Sequence, residues 1–373
     1  MKTIAVFFGG KSVEHDISVI TAMQAMRCLK NFRVVPVYIK PDGSFVTGSN
    51  LAQPQTYLNF VKNAKNVKNV TFEMGKGVLC IMEKNKIKSS VKIDCALLCN
   101  HGHGGEDGSL QGLLEMAGLP YTSCGVLSSA ICMDKVLSKI IMKNAHIPTP
   151  AYVQFDISAY RANRVDFSKM CKDKLGLPFI VKPANLGSSV GISICENVDM
   201  LEKCVSEAAN FDDKIIVEKY IQNAREFCCA VVKVGDRLVT SNVQEVKKGK
   251  IYSFEDKYIK ERPRDTSKIS AALDKKIKQL AEKCYRALMC DGVVRIDFLY
   301  DEKHDKLFVN EPNSIPGSLA FNLFPLPFED LLSTLICQAI TKFERKSGTQ
   351  YAFSSSAIEN YISMRDHEKY KMS

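Results

Sequence analysis

Two hydrophobic periods alternate along this chain. Thr3 to Phe8 is an unbroken apolar, β-prone run that predicts a first strand. Asp16, a helix-capping type, precedes Ile17, Ile20, Met23, Met26 and Leu29, which return near helical spacing and predict a helix. Val34 to Ile39 predicts the next strand, closed by the turn Lys40-Pro41-Asp42-Gly43-Ser44. Ile93 to Cys99 predicts a third, followed by a glycine-rich loop and a helix over Leu110 to Met116. This order predicts an α/β domain with a parallel sheet over residues 1–123. Ligands of such sheets bind beyond the carboxyl ends of the strands, which directs attention to the loops after the first and third strands.

A second region, 124–221, carries a predicted helix over Ser128 to Asn144, broken by Ile147-Pro148-Thr149-Pro150. Strands follow at Pro178 to Pro183 and Ile215 to Tyr220, with the loop Ala184 to Gly191 between them. A third region, 222–345, has predicted strands at Glu226 to Val234, Leu238 to Val243, Gly292 to Tyr300 and Lys306 to Asn310. A helix over Ala271 to Met289 separates the second of these from the third, so the class passes from α/β to α+β. Residues 346–373 are a polar tail, either an extra helix around Ile358 to Met364 or mobile chain. No internal repeat is visible.

Length and composition add limits. At 373 residues the chain has room for two or three domains, and a 46% apolar content can fill their cores. No run of eighteen apolar residues is present, so no membrane span is expected. The N-terminus reaches Gly9-Gly10 too soon for a signal peptide and reads as a strand. None of the 14 cysteines forms Cys-x-x-Cys, and pairs such as Cys228-Cys229 sit in apolar runs, as reduced thiols of a cytoplasmic protein do. The net charge of +10 comes from dispersed lysines without a basic block, so nucleic acid is not an expected partner. A nucleotide or phosphate ligand accounts for the excess equally well.

The densest chemistry lies in Phe308-Val309-Asn310-Glu311-Pro312-Asn313-Ser314-Ile315-Pro316-Gly317, where Glu311 and Asn313 stand two residues apart on one strand face. Upstream, Arg295 and Asp297 are likewise two apart in an apolar run. Oxygen ligands from Asp297, Glu311 and Asn313 suit Mg²⁺ held with phosphate oxygens. The alternative is a strand-borne ion pair between Arg295 and the acids.

The loop Gly9-Gly10-Lys11-Ser12-Val13-Glu14 lacks the third glycine of a dinucleotide fingerprint. Glu14 is either a partner for a substrate ammonium or a helix-capping acid. In His101-Gly102-His103-Gly104-Gly105-Glu106-Asp107-Gly108, no ligand set supports zinc. Glu106 and Asp107 are expected to cap the next helix, and His101 to face a pocket. Lys182-Pro183 opens onto Gly187-Ser188-Ser189-Val190-Gly191, whose backbone N–H groups can cradle an anion, although Walker A order is absent. Glu218-Lys219 at a strand tip is either an adenine-binding pair or an ion pair. Lys257 and Tyr258 lie in a charged segment that can act as a lid or be a solvated loop.

Taken in order, these segments resemble the D-alanine–D-alanine ligase family of the ATP-grasp superfamily, from about residue 3 to residue 340. The match includes Met133-Asp134-Lys135 and Asp256-Lys257-Tyr258 as well as the motifs above. The resemblance implies an N-terminal Rossmann-like domain followed by a two-lobed ATP-grasp fold. It implies ATP and two Mg²⁺ ions, with Mn²⁺ as a substitute, and a homodimer acting on D-amino acids in the cytoplasm with no membrane partner. Lys135, Lys182, Ser189, Lys219 and Lys257 would contact ATP, Glu218 its adenine and Glu226 its ribose. Asp297, Glu311 and Asn313 would hold the metal ions. Glu14 would bind the first ammonium and form a hydrogen-bonded group with Ser188 and Tyr258. Arg295 and the Gly317 N–H would stabilise the oxyanion, with His101, Asn322 and Leu323 binding substrate.

The implied reaction passes through an acyl phosphate to a D-alanyl-D-alanine product used in peptidoglycan precursors. One departure is visible: Gly317-Ser318-Leu319-Ala320-Phe321-Asn322 puts Asn322 where relatives carry a serine. D-Serine or another amine is therefore the alternative acceptor. Tyr258 stands where depsipeptide-forming relatives carry phenylalanine, which implies an amino-acid acceptor and poor use of D-lactate. A silent nucleotide-binding regulator is a further alternative, and the intact Arg295, Asp297, Glu311 and Asn313 argue against it.

Overall fold

The computed structural model describes residues 1–246, 269–349 and 354–371. They divide into two compact units, Met1–Ile340 and Thr341–Ser373. In the first unit the chain opens with β1 (Thr3–Gly9), α1 (His15–Cys28), β2 (Arg33–Ile39), β3 (Phe45–Thr47), α2 (Gln55–Leu58), α3 (Phe60–Asn63), β4 (Lys68–Glu73), β5 (Val78–Glu83), β6 (Lys86–Lys92), β7 (Cys95–Leu98) and α4 (Ser109–Met116). The sheet order is β6-β5-β4-β3-β2-β1-β7. Only β2, β1 and β7 run parallel, and β3 to β6 extend the sheet antiparallel. The parallel sheet expected from the sequence is thus present in β2, β1 and β7, and four antiparallel strands that were not expected extend it. The added strands are short and polar on one face. Lys84 and Asn85, both at positive φ, form the tight turn between β5 and β6.

Next come α5 (Val126–Met133), α6 (Lys135–Asn144), β8 (Tyr152–Asp156), α7 (Ile157–Ala162), α8 (Arg164–Leu175), β9 (Phe179–Pro183), β10 (Ser193–Cys195), α9 (Leu201–Ala208) and β11 (Lys214–Lys219). Their sheet is antiparallel, in the order β10-β9-β11-β8. The single helix expected over Ser128 to Asn144 is two. Asp134 adopts φ −83°, ψ 106° and accepts hydrogen bonds from the backbone of Val136 (2.9 Å) and Leu137 (3.0 Å), so it starts α6 as a cap. Similarly, α1 begins after Glu14, and Asp16 sits in its first turn instead of at the cap.

The last sheet contains β12 (Arg225–Val234), β13 (Arg237–Thr240), β14 (Gln244–Val246), β15 (Val293–Asp301) and β16 (Lys306–Asn313). It runs β13-β12-β15-β16, with β14 also on β12, and is packed by α10 (Ala271–Ala287) and α11 (Phe328–Ser347). The one strand expected over Leu238 to Val243 is interrupted at Ser241, whose hydroxyl accepts from Ala230 N–H (2.9 Å) and donates to the Asn242 carbonyl (2.8 Å). Strand alternation divides this sheet between two cores. Phe227, Cys229 and Val231 pack with Val294, Ile296, Phe298 and α10, while Cys228, Ala230 and Val232 join the core beneath α11 and the first sheet. In the second unit, α12 (Ala357–Lys371) spans the segment where a helix over Ile358 to Met364 was the alternative to mobile chain.

Phe298 is 1% exposed inside the α10-facing core. Phe298→Ala should therefore cost about 3–5 kcal/mol, read as a lower urea midpoint at unchanged slope.

Candidate active site

Strands β15 and β16 carry the acidic cluster, and their register explains how. Val294, Ile296 and Phe298 are buried, so Arg295 and Asp297 project from the opposite face. Strict alternation along β16 would put Glu311 on the side of Leu307 and Val309, which is core. The pairing instead jumps from Phe298↔Val309 to Asp297↔Glu311, leaving Asn310 as a bulge. The extra residue turns Glu311 and Asn313 to the side of Asp297. Arg295 makes two hydrogen bonds to Asp297, at 2.7 and 2.8 Å, and Asn313 Nδ2 lies 3.2 Å from Asp297 Oδ2. The ion pair weighed as an alternative from the sequence is therefore present, within the same group as the proposed metal ligands. Two carboxylates and an amide that can turn its oxygen inward fit a hard divalent cation.

Glu218, 2% exposed on β11, occupies a cage of cations. Lys182 reaches its Oε2 at 2.8 Å and Lys139 its Oε1 at 3.1 Å. Burial would raise the Glu218 carboxyl, but Lys139 and Lys182 outweigh it and hold the group down to about 2. Lys139 is wholly buried and also donates to the Asn310 carbonyl at 3.1 Å, tying α6 to the bulge. The sequence reading missed Lys139. The available signal was its place one turn after Lys135, which puts the two lysines on one face of the helix. Lys135 lies 3.5 Å from Glu311 and donates to the Leu186 carbonyl of the glycine-serine loop.

Glu14 does not cap α1 with its side chain. It is 7% exposed and accepts a hydrogen bond from Ser188, 174 residues later. Ser188 and Ser189 both have positive φ, at 56° and 60°, which aims the Ser188 hydroxyl back at Glu14. Gly102 must be glycine: at φ +70° a Cβ would lie 2.5 Å from Ser12 Oγ and 2.9 Å from Glu14 Oε2.

His101 was expected to face a pocket; it is instead 3% exposed with both ring nitrogens engaged. Ser318 N–H donates to Thr21 Oγ1 (3.0 Å), Thr21 Oγ1 lies 2.8 Å from His101 Nε2, and His101 Nδ1–H donates to the Ile315 carbonyl (2.8 Å). Burial lowers the His101 pKa and so favours the neutral ring, whose Nε2 accepts from the Thr21 hydroxyl. Glu106 also departs from the helix-capping role. It accepts from Gly102 N–H and Ile315 N–H, both at 2.8 Å, and so joins the His101 loop to the segment before Gly317. Burial, then the charge of Glu14, pushes its carboxyl up to about 8. Asp107 does serve the start of α4, accepting from Ser109 N–H at 2.9 Å.

One small cavity of about 40 Å³ is lined by Glu14, Glu106, Cys132, Lys135, Glu311 and Asn313, among others. Lys219 faces away from Glu218 and lines a wider cleft of about 1580 Å³ with Tyr220 and Ile221. The small cavity brings Glu14, Glu106, Lys135, Glu311 and Asn313 together, and none of these five lines the wide cleft. Glu226 acts on Lys182 electrostatically, while Leu323 packs in the core and Asn322 is exposed. Gly317 begins a turn in which Ser318, Leu319 and Ala320 all adopt positive φ near 50°. Lys257 and Tyr258 lie outside the described residues.

Residues 3–124 match the family model for the D-ala D-ala ligase N-terminus, and residues 141–336 that for its C-terminus. The D-alanine–D-alanine ligase of Thermosipho melanesiensis is 38% identical, over 93% of this chain and 96% of its own length. The Thermosipho africanus enzyme of the same name is 37% identical, over 96% and 99%. Among solved structures, the D-alanine–D-alanine ligase of Coxiella burnetii aligns with TM-score 0.78 at 27% identity, covering 93% of this chain and 97% of that one. The VanG D-Ala:D-Ser ligase of Enterococcus faecalis aligns with TM-score 0.77 at 30% identity, covering 91% and 99%.

The cation cage makes two stability predictions. Lys139→Met should cost about 3–5 kcal/mol, because it leaves Glu218 buried with half its compensation, and adding Glu218→Gln should recover part of that loss. Glu218 is held at about 2, below its ordinary 4.5. Its contribution is therefore complete above about pH 4.5 and is lost as pH falls through about 2. Glu218→Gln should flatten that acid limb in urea unfolding followed across this pH range.

Proposed function

The chain belongs to the D-alanine–D-alanine ligase family of ATP-using carbon–nitrogen ligases, and we propose that it joins two D-alanines through an acyl phosphate to supply peptidoglycan precursors. The carrying observation is the small cavity shared by Glu14, Lys135, Glu311 and Asn313. It combines an anion for a substrate ammonium, a cation for phosphate and oxygen donors for a metal. A divalent ion, two Mg²⁺ in our reading with Mn²⁺ as substitute, would be held by Asp297, Glu311 and Asn313. Bound there, it would neutralise phosphate charge as the γ-phosphoryl group is transferred.

The chain's own groups do the remaining work. Glu14, fixed by Ser188, holds the ammonium of the first D-alanine so that its carboxylate can attack the γ-phosphorus. Lys135 and Lys182 accept the phosphate charge, Glu218 takes the adenine amino group and Glu226 the ribose, while Ser189, Lys219 and Lys257 add further ATP contacts. The amine of the second D-alanine then attacks the acyl phosphate. Arg295 and the Gly317 N–H receive the developing oxyanion. The Thr21–His101–Ile315 hydrogen-bond chain fixes the backbone that leads into Gly317, so it orients the donor before substrate arrives. Tyr258, outside the described residues, would join the Glu14–Ser188 group as the family resemblance implies, and Asn322 and Leu323 would bound the acceptor. We further propose a cytoplasmic homodimer with domains at 1–123, 124–221 and 222–345 and a separate tail.

Exposed Asn322 favours one second reading, in which D-serine is the acceptor. An amide there offers a polar partner for the serine hydroxyl.

With ATP, Mg²⁺ and D-alanine the protein should release ADP, phosphate and D-alanyl-D-alanine. A chelator should stop the reaction, and absence of product across a panel of D-amino acids would overturn the reading. D-Lactate should be a poor acceptor near neutral pH. Asp297→Asn and Glu311→Gln should each lower kcat roughly 10²–10³-fold at near-native unfolding midpoints. If D-serine outcompetes D-alanine, Asn322→Ser should shift that preference without altering ATP affinity.

A further inference from the structure

Outside the groups used above, one cluster stands apart. Cys124, Cys132 and Cys290 meet where the segment before α5, the end of α5 and the approach to β15 converge. All three are free thiols, and the Sγ atoms of Cys132 and Cys290 lie 3.9 Å apart. The scaffold around them is tight: Cys124 Sγ contacts the Asp291 carbonyl at 3.4 Å, and a Cβ on Gly292 would lie 2.7 Å from Ser123 Cα. Hydrogen bonds among the three thiols hold Cys124 well below its ordinary pKa and push Cys132 and Cys290 well above theirs, so their protons are coupled. Cys132 also lines the small cavity beside Lys135 and Glu311, which gives small solutes a route to one member of an otherwise buried trio.

We propose that Cys132 and Cys290 form a peroxide-oxidisable pair that switches the neighbouring active site off reversibly. The oxidant class is hydrogen peroxide, admitted through the cavity. The Cys132 sulfur attacks one peroxide oxygen, forming an S–O bond and breaking O–O, while the thiol proton passes to the departing hydroxide, which leaves as water and gives a Cys132 sulfenic acid. Cys290 attacks that sulfur and the sulfenic hydroxyl leaves as a second water. Two thiols have then lost two electrons to one peroxide.

A disulfide requires about 2.05 Å between sulfurs, so the pair must close by roughly 2 Å. Cys132 stands two residues before the Asp134 cap and three before Lys135, and Cys290 five before Arg295. Closure on that scale draws on the geometry of both.

The test uses the full chain, titrated with hydrogen peroxide, then alkylated and mapped by mass spectrometry without reduction. The expected result is a Cys132–Cys290 peptide cross-link whose yield tracks a roughly tenfold to hundredfold fall in ligase rate, with recovery in dithiothreitol. Cys290→Ala should keep the untreated rate and lose the dithiothreitol-recoverable part of the inhibition. Two results would overturn the proposal: Cys132 and Cys290 both alkylated as free thiols in peroxide-treated protein, or a full cross-link with an unchanged rate. The mapping needs no activity, so it stands if Cys290→Ala does not fold. Failure of the ligase reading itself would appear separately, as no turnover before peroxide is added.

Discussion

The acidic side of this molecule depends on one irregularity in strand pairing. A residue's face is set by parity, and parity along β16 would bury Glu311 among aliphatic side chains. The Asn310 bulge changes the count by one. Leu307 and Val309 remain in the core, and Glu311 and Asn313 come round to Asp297. Lys139 then anchors the bulge by bonding the Asn310 carbonyl. The same lysine neutralises Glu218 on another sheet. One buried cation thus links the irregular strand to the central sheet, and the positions of Asp297, Glu311 and Glu218 become interdependent.

Buried charge is costly unless paired, and the site meets that cost by reciprocity. Glu14 has Ser188, Glu218 has two lysines and Arg295 has Asp297, while Glu106, pushed up to about 8, is held by two backbone donors. Arg295–Asp297 and Glu106–Gly102 are local, but Ser188, the two lysines and Ile315 come from segments far from their partners, so those pairs tie distant elements together as they satisfy the polar groups. The Ser188 loop and the Gly102 turn reach Glu14 because their backbones adopt left-handed conformations that place a hydroxyl or leave out a Cβ. Preorganisation here is a matter of polar groups already engaged before any substrate arrives.

Much of this was legible in the chain, for identifiable reasons. β1, β2 and β7 are continuous apolar runs flanked by turn residues, and such runs declare themselves. Glu14, Lys182, Glu218, Arg295, Asp297 and Glu311 announced themselves as charges in or beside apolar stretches. What stayed hidden depended on tertiary partners. Asp134 splits a helix whose apolar pattern is unbroken, because a capping bond outweighs periodicity locally. His101 looked like a pocket residue because its partners, Thr21 and Ile315, lie 80 and 214 residues away. Lys139 had only its spacing from Lys135 to distinguish it from a solvated lysine. The strands β3 to β6 are short and half polar, a pattern that loops share.

The outermost of those strands shows how an open sheet edge is protected. β6 is the free edge of a seven-stranded sheet, and an exposed edge offers unpaired backbone groups to any passing strand. Its sequence, Lys86-Ile87-Lys88-Ser89-Ser90-Val91-Lys92, sets three ammonium groups along that rim. At the opposite edge, β7 is sheltered by backbone bonds from Ala96 to Pro120 and Thr122. Lys88 pairs with Glu83 and Lys92 donates to the Lys76 carbonyl, so part of the positive excess that resembled a signal for an anionic partner is engaged within the chain, on an edge where charge disfavours pairing with another strand.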